Sequence, residues 1–98
     1  MTSASGEPFR IGLLGHGTVG EAFAQLVADR AGHVEAITGL RPEISAVLTR
    51  SRGDFEDILS GSDLVVELIG GIDPARDYVL RAMRAGKHVV TANKQLLS

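Results

Sequence analysis

The chain has 98 residues, 44% hydrophobic, 22% charged and 4% aromatic, with a net charge of -2 and no cysteine. That is enough for one domain with a core, while the mild acidity and few aromatics argue against a nucleic-acid binder, which needs a basic stripe or stacking platforms. Without cysteine neither disulfides nor thiolate metal sites can form, and the redox compartment is left open. No apolar run approaches the roughly 18 residues of a membrane span, and the N-terminus MTSASGEP carries no apolar signal core, so a cytoplasmic protein without a membrane partner is expected.

Residues 1–8 are small and polar and are expected to form a flexible tail. Residues 9–14, FRIGLL, are apolar on both faces with Gly12 the one gap, the pattern of a central parallel strand covered on two sides. Gly15, Gly17 and Gly20 follow in the spacing G-x-G-x-x-G. The helix beyond them carries Val19, Ala22, Phe23, Leu26 and Val27 on one stripe and turns Glu21, Gln25 and Asp29 to solvent. It is expected to end at Ala31 and Gly32, with residues 33–40 leaving room for one or two extra helical turns. Pro42 blocks helix, and residues 44–49 read as the second strand. A polar loop over 50–53 leads to a short helix marked by Phe55, Ile58 and Leu59, with Asp54 as its N-cap. Residues 63–69 make the third strand, broken by Gly70 and Gly71. Asp73 as N-cap and Pro74 at the first helical position open a helix through Val79, Leu80 and Met83, with Asp77 and Arg81 paired at i,i+4. Ala85 and Gly86 end it, residues 88–92 form the fourth strand, and 93–98 read as a turn opening another helix.

Strand alternating with helix four times implies parallel strands and right-handed crossovers. The predicted fold is α/β, a Rossmann-like doubly wound parallel sheet truncated to about four strands. Such a sheet must reverse direction beside its first strand, so the third strand is placed there, opposite the second. Gly70 and Gly71 then come next to Gly15 and Gly17. Gly15 lets the chain turn tightly, Gly17 lacks the Cβ that would block a pyrophosphate, and Gly20 lets helix and strand approach. Phosphates would rest on free N–H groups at the helix N-terminus, whose partial positive charge favours an anion. The competing reading is a glycine-rich turn that only packs a helix onto a sheet. Arg50 follows the second strand where an NAD site usually carries an acid, and with Arg52 it could pair with a 2′-phosphate, so NADP is preferred over NAD; the alternative is two solvated cations. Glu67, within an apolar strand, is either a satisfied buried carboxylate or one reaching the crevice. His33 and His88 have no partners at metal-ligand spacing, and no metal site is expected.

Four stretches, IGLLGHGTVG, TGLRPEISAVLTR, DLVVELIGGIDPAR and above all AGKHVVTANKQLL, together resemble the N-terminal nucleotide-binding domain of homoserine dehydrogenase over nearly all of residues 9–98. The resemblance implies an NAD(P)-dependent oxidoreductase that interconverts L-homoserine and L-aspartate 4-semialdehyde by hydride transfer, in threonine and methionine synthesis, as a homo-oligomer in its complete form. It places Gly15, Gly17, Thr18, Val19 and Gly20 around the pyrophosphate, Arg50 at the adenosine ribose and Gly70 and Gly71 near the nicotinamide half. Thr91, Ala92, Asn93 and Lys94 fall on the loop facing substrate, and of these Thr91, Asn93 and Lys94 are also expected to bind the cofactor. His16 occupies a variable place, and the connection over 51–62 is short for the family. The family's proton-transfer lysine, acidic substrate ligands and metal site belong to a later domain, so residues 9–98 are expected to be an incomplete cofactor domain without a catalytic residue of its own. Lys94 is either a substrate-side ammonium or a solvated strand-end cap. Two other functions fit the residues: a non-catalytic regulatory module that binds NAD(P), or another amino-acid or semialdehyde dehydrogenase. The chain alone is expected to be inactive and, with a hydrophobic edge strand at 88–92, prone to self-association.

Overall fold

A computed structural model describes residues 7–15, 17–49, 53–69 and 75–91. Along the chain these form β1 (Glu7–Leu14), α1 (Thr18–Thr38), β2 (Leu40–Leu48), α2 (Phe55–Ser60), β3 (Leu64–Glu67), α3 (Ala75–Arg84) and β4 (His88–Thr91). The strands pair in parallel in the order β2-β1-β3-β4. β3 therefore lies on the side of β1 away from β2, as placed from the sequence, and the strand order reverses at β1. Among the described residues no helix is long and apolar enough to cross a membrane.

Side-chain alternation in β1 sorts the core onto the two faces of the sheet. Ile11 and Leu13 pack with Val66 and with Phe23 and Val27 of α1, whereas Leu14 packs with Leu48, Val65, the α2 residues Phe55, Ile58 and Leu59, and Ala82 of α3. Gly12 points to this second face. A Cβ there would stand 2.2 Å from Ser62 Oγ and 2.7 Å from Ile58 Cγ2, so the gap in the apolar run is where the end of α2 crosses the sheet. Ser62 is fully buried and donates its hydroxyl hydrogen to the Ile58 carbonyl, which satisfies it without water.

Several boundaries differ from the sequence reading, each for a local reason. β1 begins at Glu7, so Glu7 and Pro8 are strand residues and not tail. α1 does not stop at Gly32 but runs 21 residues to Thr38, and ends where Gly39 adopts φ 80° and donates its N–H to the Glu35 carbonyl. A helical Gly32 costs about 1 kcal/mol relative to alanine, and half-buried Val34 and Glu35 continue the packed side of the helix beyond it. The inward stripe of α1 is Gly20, Phe23, Ala24, Val27, Ala31 and Val34, rotated from the expected one, which leaves Val19 63% and Leu26 52% exposed. Small residues lead because the helix lies close to the sheet. β2 begins at Leu40 and includes Pro42, paired in register with Phe9. Among the described residues β2 is an edge strand, where a missing N–H is tolerated. Asp54 does stand at the N-cap of α2, but its side chain makes no capping bond. The Asp73 and Pro74 helix start lies outside the described residues; α3 carries the expected Asp77–Arg81 pair and ends at Gly86, φ 79°. Its inward residues are Ala75, Tyr78, Val79 and Ala82, with Leu80 and Met83 exposed.

At the amino end of the sheet Arg10 and Asp63 lock β1 to the entry of β3. The Arg10 N–H (2.8 Å), Nε (3.3 Å) and Nη2 (3.2 Å) all donate to the Asp63 carboxylate, and the Asp63 N–H donates to the Arg10 carbonyl (2.7 Å). Hydrogen bonding from the Arg10 side chain, then from its backbone, holds the Asp63 carboxyl below its ordinary value. Because the folded pKa is the lower one, the stabilisation is fully present above about pH 4, the ordinary Asp range, and is lost as pH falls through the folded value. Asp63→Asn is therefore expected to lower the melting temperature at pH 7, with the gap from the parent closing on acidification below about pH 4. Melting curves across pH check this; a gap independent of pH would mean that the Asp63 charge contributes nothing.

Candidate cofactor site

The carboxyl ends of three strands meet at Gly15. Its N–H donates to the Leu48 carbonyl at the end of β2 (2.7 Å), while the Leu68 N–H, just past β3, donates to the Leu14 carbonyl (2.9 Å). Gly15 adopts φ 94°, and a Cβ on it would stand 3.1 Å from Ile69 Cγ1 and 3.3 Å from both Ile69 N and Leu68 C. Glycine is thus required twice, by the backbone conformation and by the chain leaving β3. This is the point of strand-order reversal, where an open α/β sheet leaves a crevice outside its carboxyl ends.

Gly17 differs in kind. Its φ of -92° is open to any residue, and a Cβ built there meets nothing within 4 Å among the described residues. Among the described residues neither backbone strain nor packing calls for glycine, yet the position caps α1 directly over the crevice. A cradle of bare backbone at a helix start suits a group that must come close to it, and a pyrophosphate fits that description. The Glu21 N–H is bonded to the Gly17 carbonyl (2.9 Å). The N–H groups before it have no carbonyl four residues back within the helix, so the first turn carries partial positive charge. Thr18 and Val19 are exposed on this turn, and Gly20 is buried.

Across the crevice, Thr91 ends β4 opposite Glu67 in the β3–β4 register. Glu67 is fully buried and accepts hydrogen bonds from the Ile69 N–H (2.6 Å) and the Thr91 hydroxyl (2.5 Å). Of the two readings of Glu67, the satisfied buried carboxylate is the one found. Ile69 escaped the sequence reading as a site-shaping residue, and Glu67, singled out there as an acid in an apolar strand, was given no partners. The geometry thus joins Gly15, Gly17, Thr18, Val19 and Gly20 around one turn, with Thr91 at the end of β4. Arg50, Gly70, Gly71, Ala92, Asn93 and Lys94, together with His16, lie outside the described residues.

Known proteins share this fold. Residues 15–98 match the family described as homoserine dehydrogenase, NAD binding domain. Homoserine dehydrogenase of Methylobacillus glycogenes is 42% identical over 108 residues, covering 94% of this chain and 26% of that relative. The Neisseria gonorrhoeae homoserine dehydrogenase is 37% identical over 107 residues, covering 94% and 25%. Among solved structures, homoserine dehydrogenase from Thiobacillus denitrificans superimposes with a TM-score of 0.79 at 35% identity, covering 95% of this chain and 25% of that one. The S. aureus enzyme at pH 7.5 gives a TM-score of 0.83 at 28% identity, covering 91% and 26%. The chain spans about a quarter of the length of these relatives.

The two glycines are expected to fail differently on substitution. Gly15→Ala should cost about 1–3 kcal/mol of stability through positive φ alone, read as a lower urea midpoint. Gly17→Val should leave the fold intact by circular dichroism and abolish NAD(P) binding in calorimetric titration; unchanged affinity would remove the turn from the site.

Proposed function

The chain belongs to the family of homoserine dehydrogenase NAD-binding domains, and we propose that it holds a nicotinamide dinucleotide across the β1–β3 crevice for the interconversion of L-homoserine and L-aspartate 4-semialdehyde in threonine and methionine synthesis. The observation that carries this reading is Gly17: a residue without a Cβ, at a helix start over the switch point, where nothing among the described residues asks for glycine. Supporting it, the relatives named homoserine dehydrogenase align along more than nine-tenths of the chain.

In this assignment Gly15, Gly17, Thr18, Val19 and Gly20 take the pyrophosphate, Arg50 the adenosine ribose, and Gly70, Gly71, Thr91 and Asn93 the nicotinamide side. The bound cofactor supplies the hydride acceptor or donor. The chain's own part is to bind and orient it, with Lys94 as an ammonium favouring negative charge on the substrate carbonyl oxygen. The groups that exchange the hydroxyl proton belong to the remainder of the enzyme, which is proposed to work as a cytoplasmic homo-oligomer.

NADP is the proposed preference, because no acid follows β2 in the sequence Leu48, Thr49, Arg50. Arg50→Ala should weaken NADP by about 1.5–3 kcal/mol, the scale of a charge-assisted hydrogen bond, and leave NAD nearly unaffected. Equal losses would show that Arg50 does not read the 2′-phosphate.

The function itself is tested by homoserine-dependent reduction of NADP and NAD, by the full enzyme and by residues 1–98 alone. Holding the reactants in place accounts for roughly 7–11 kcal/mol of such a barrier, and one wall of the site cannot supply it. Turnover by the full enzyme with none from the short chain is expected. A full enzyme inert toward homoserine would overturn the assignment.

A further inference from the structure

We propose that Glu67 is a positioning residue for the nicotinamide half of the cofactor, acting through the two strand ends that its carboxylate ties together. This rests on the dinucleotide reading of the crevice. Glu67 occupies the last position of β3, on the face shared with Val65, and is completely buried. Among the described residues it makes no ion pair. An apolar residue of similar size would avoid the desolvation cost of a carboxylate in this core, so packing alone gives no reason for the acid.

What the acid does is visible in its two bonds. Oε2 accepts the Ile69 N–H two residues on, so the chain leaves the ladder after Glu67; β3 ends there and not at Ile69 as its apolar pattern predicts. Oε1 accepts the Thr91 hydroxyl, on the neighbouring strand and at the same register position. One carboxylate thereby sets the exit of β3 and the exit of β4 relative to each other. The Ile69 backbone it holds is the same backbone that closes against Gly15, 3.3 Å from where a Cβ would be. The wall of the crevice on the β3–β4 side is therefore fixed from inside the sheet by Glu67. A dinucleotide crossing a switch point puts its adenosine half toward β2, so the half facing this wall is the nicotinamide.

The side of the ligand affected separates this role from a structural one. Glu67→Gln keeps the shape but removes one of the two carboxylate acceptors, and Glu67→Asp keeps the charge but is one methylene too short to span both donors. Each is made in the full enzyme and titrated with NADP and, separately, with 2′-phospho-ADP-ribose, which lacks the nicotinamide. Both variants are expected to bind NADP about five- to tenfold more weakly, the scale of one internal hydrogen bond. Affinity for 2′-phospho-ADP-ribose should be unchanged, and kcat for homoserine oxidation should fall at saturating cofactor. Equal weakening of both ligands, no weakening of either, or failure of both variants to fold would make Glu67 a purely structural residue and overturn the proposal. A parent enzyme that bound neither ligand would remove the dinucleotide site itself, and the proposal with it.

Discussion

The structure depends on one crowded place, the turn at Gly15, where β1 must leave the sheet between two strands that end beside it. The Gly15 N–H is committed to β2 through the Leu48 carbonyl, and the carbonyl before it to the chain leaving β3 through the Leu68 N–H. With both neighbours bonded and Ile69 in contact range, only a residue with no side chain and a left-handed φ can pass. α1 then starts three residues later, at Thr18, so its N-terminus is delivered over the crevice by the same turn. Site and topology are consequences of one constraint: strand order reverses at β1, and the helix start sits at the reversal.

Two residues break the apolar pattern of the central strands, and each marks where another part of the chain comes in. Gly12 yields to Ser62 and Ile58 as α2 ends against the sheet. Glu67 captures the Ile69 N–H and ends β3 early. A second tie reinforces the far face: Arg81 of α3 lies over the Phe55 ring at 4.7 Å and pairs with Glu56, while Phe55 stacks on Tyr78 at 4.5 Å. α2 and α3 are thereby joined to each other as well as to the sheet.

The strand and helix order, the placement of β3 and the tight turn at Gly15 were legible in the sequence because they rest on short-range signals: apolar runs, glycine spacing and the lengths between them. What was not legible depended on distant partners. Gly32 looked like a helix end until Val34 and Glu35 proved to continue the packed side. Pro42 was read only as a block to helix, with the strand opening at residue 44, until β2 turned out to be an edge among the described residues. The stripe of α1 was rotated because hydrophobicity alone favoured Val19 and Leu26, whereas closeness to the sheet favoured Gly20, Ala24 and Ala31. Glu67 stood out as an acid in an apolar strand, but its partners are two residues on and a strand away, and spacing names neither.

A crystal structure of the protein with NADP tests the central claim most directly. The account predicts pyrophosphate oxygens within hydrogen-bond distance of the N–H groups in the first turn of α1, in the open space beside Gly17, with the nicotinamide directed toward the ends of β3 and β4. A dinucleotide bound elsewhere, or one whose pyrophosphate avoids that turn, would contradict it.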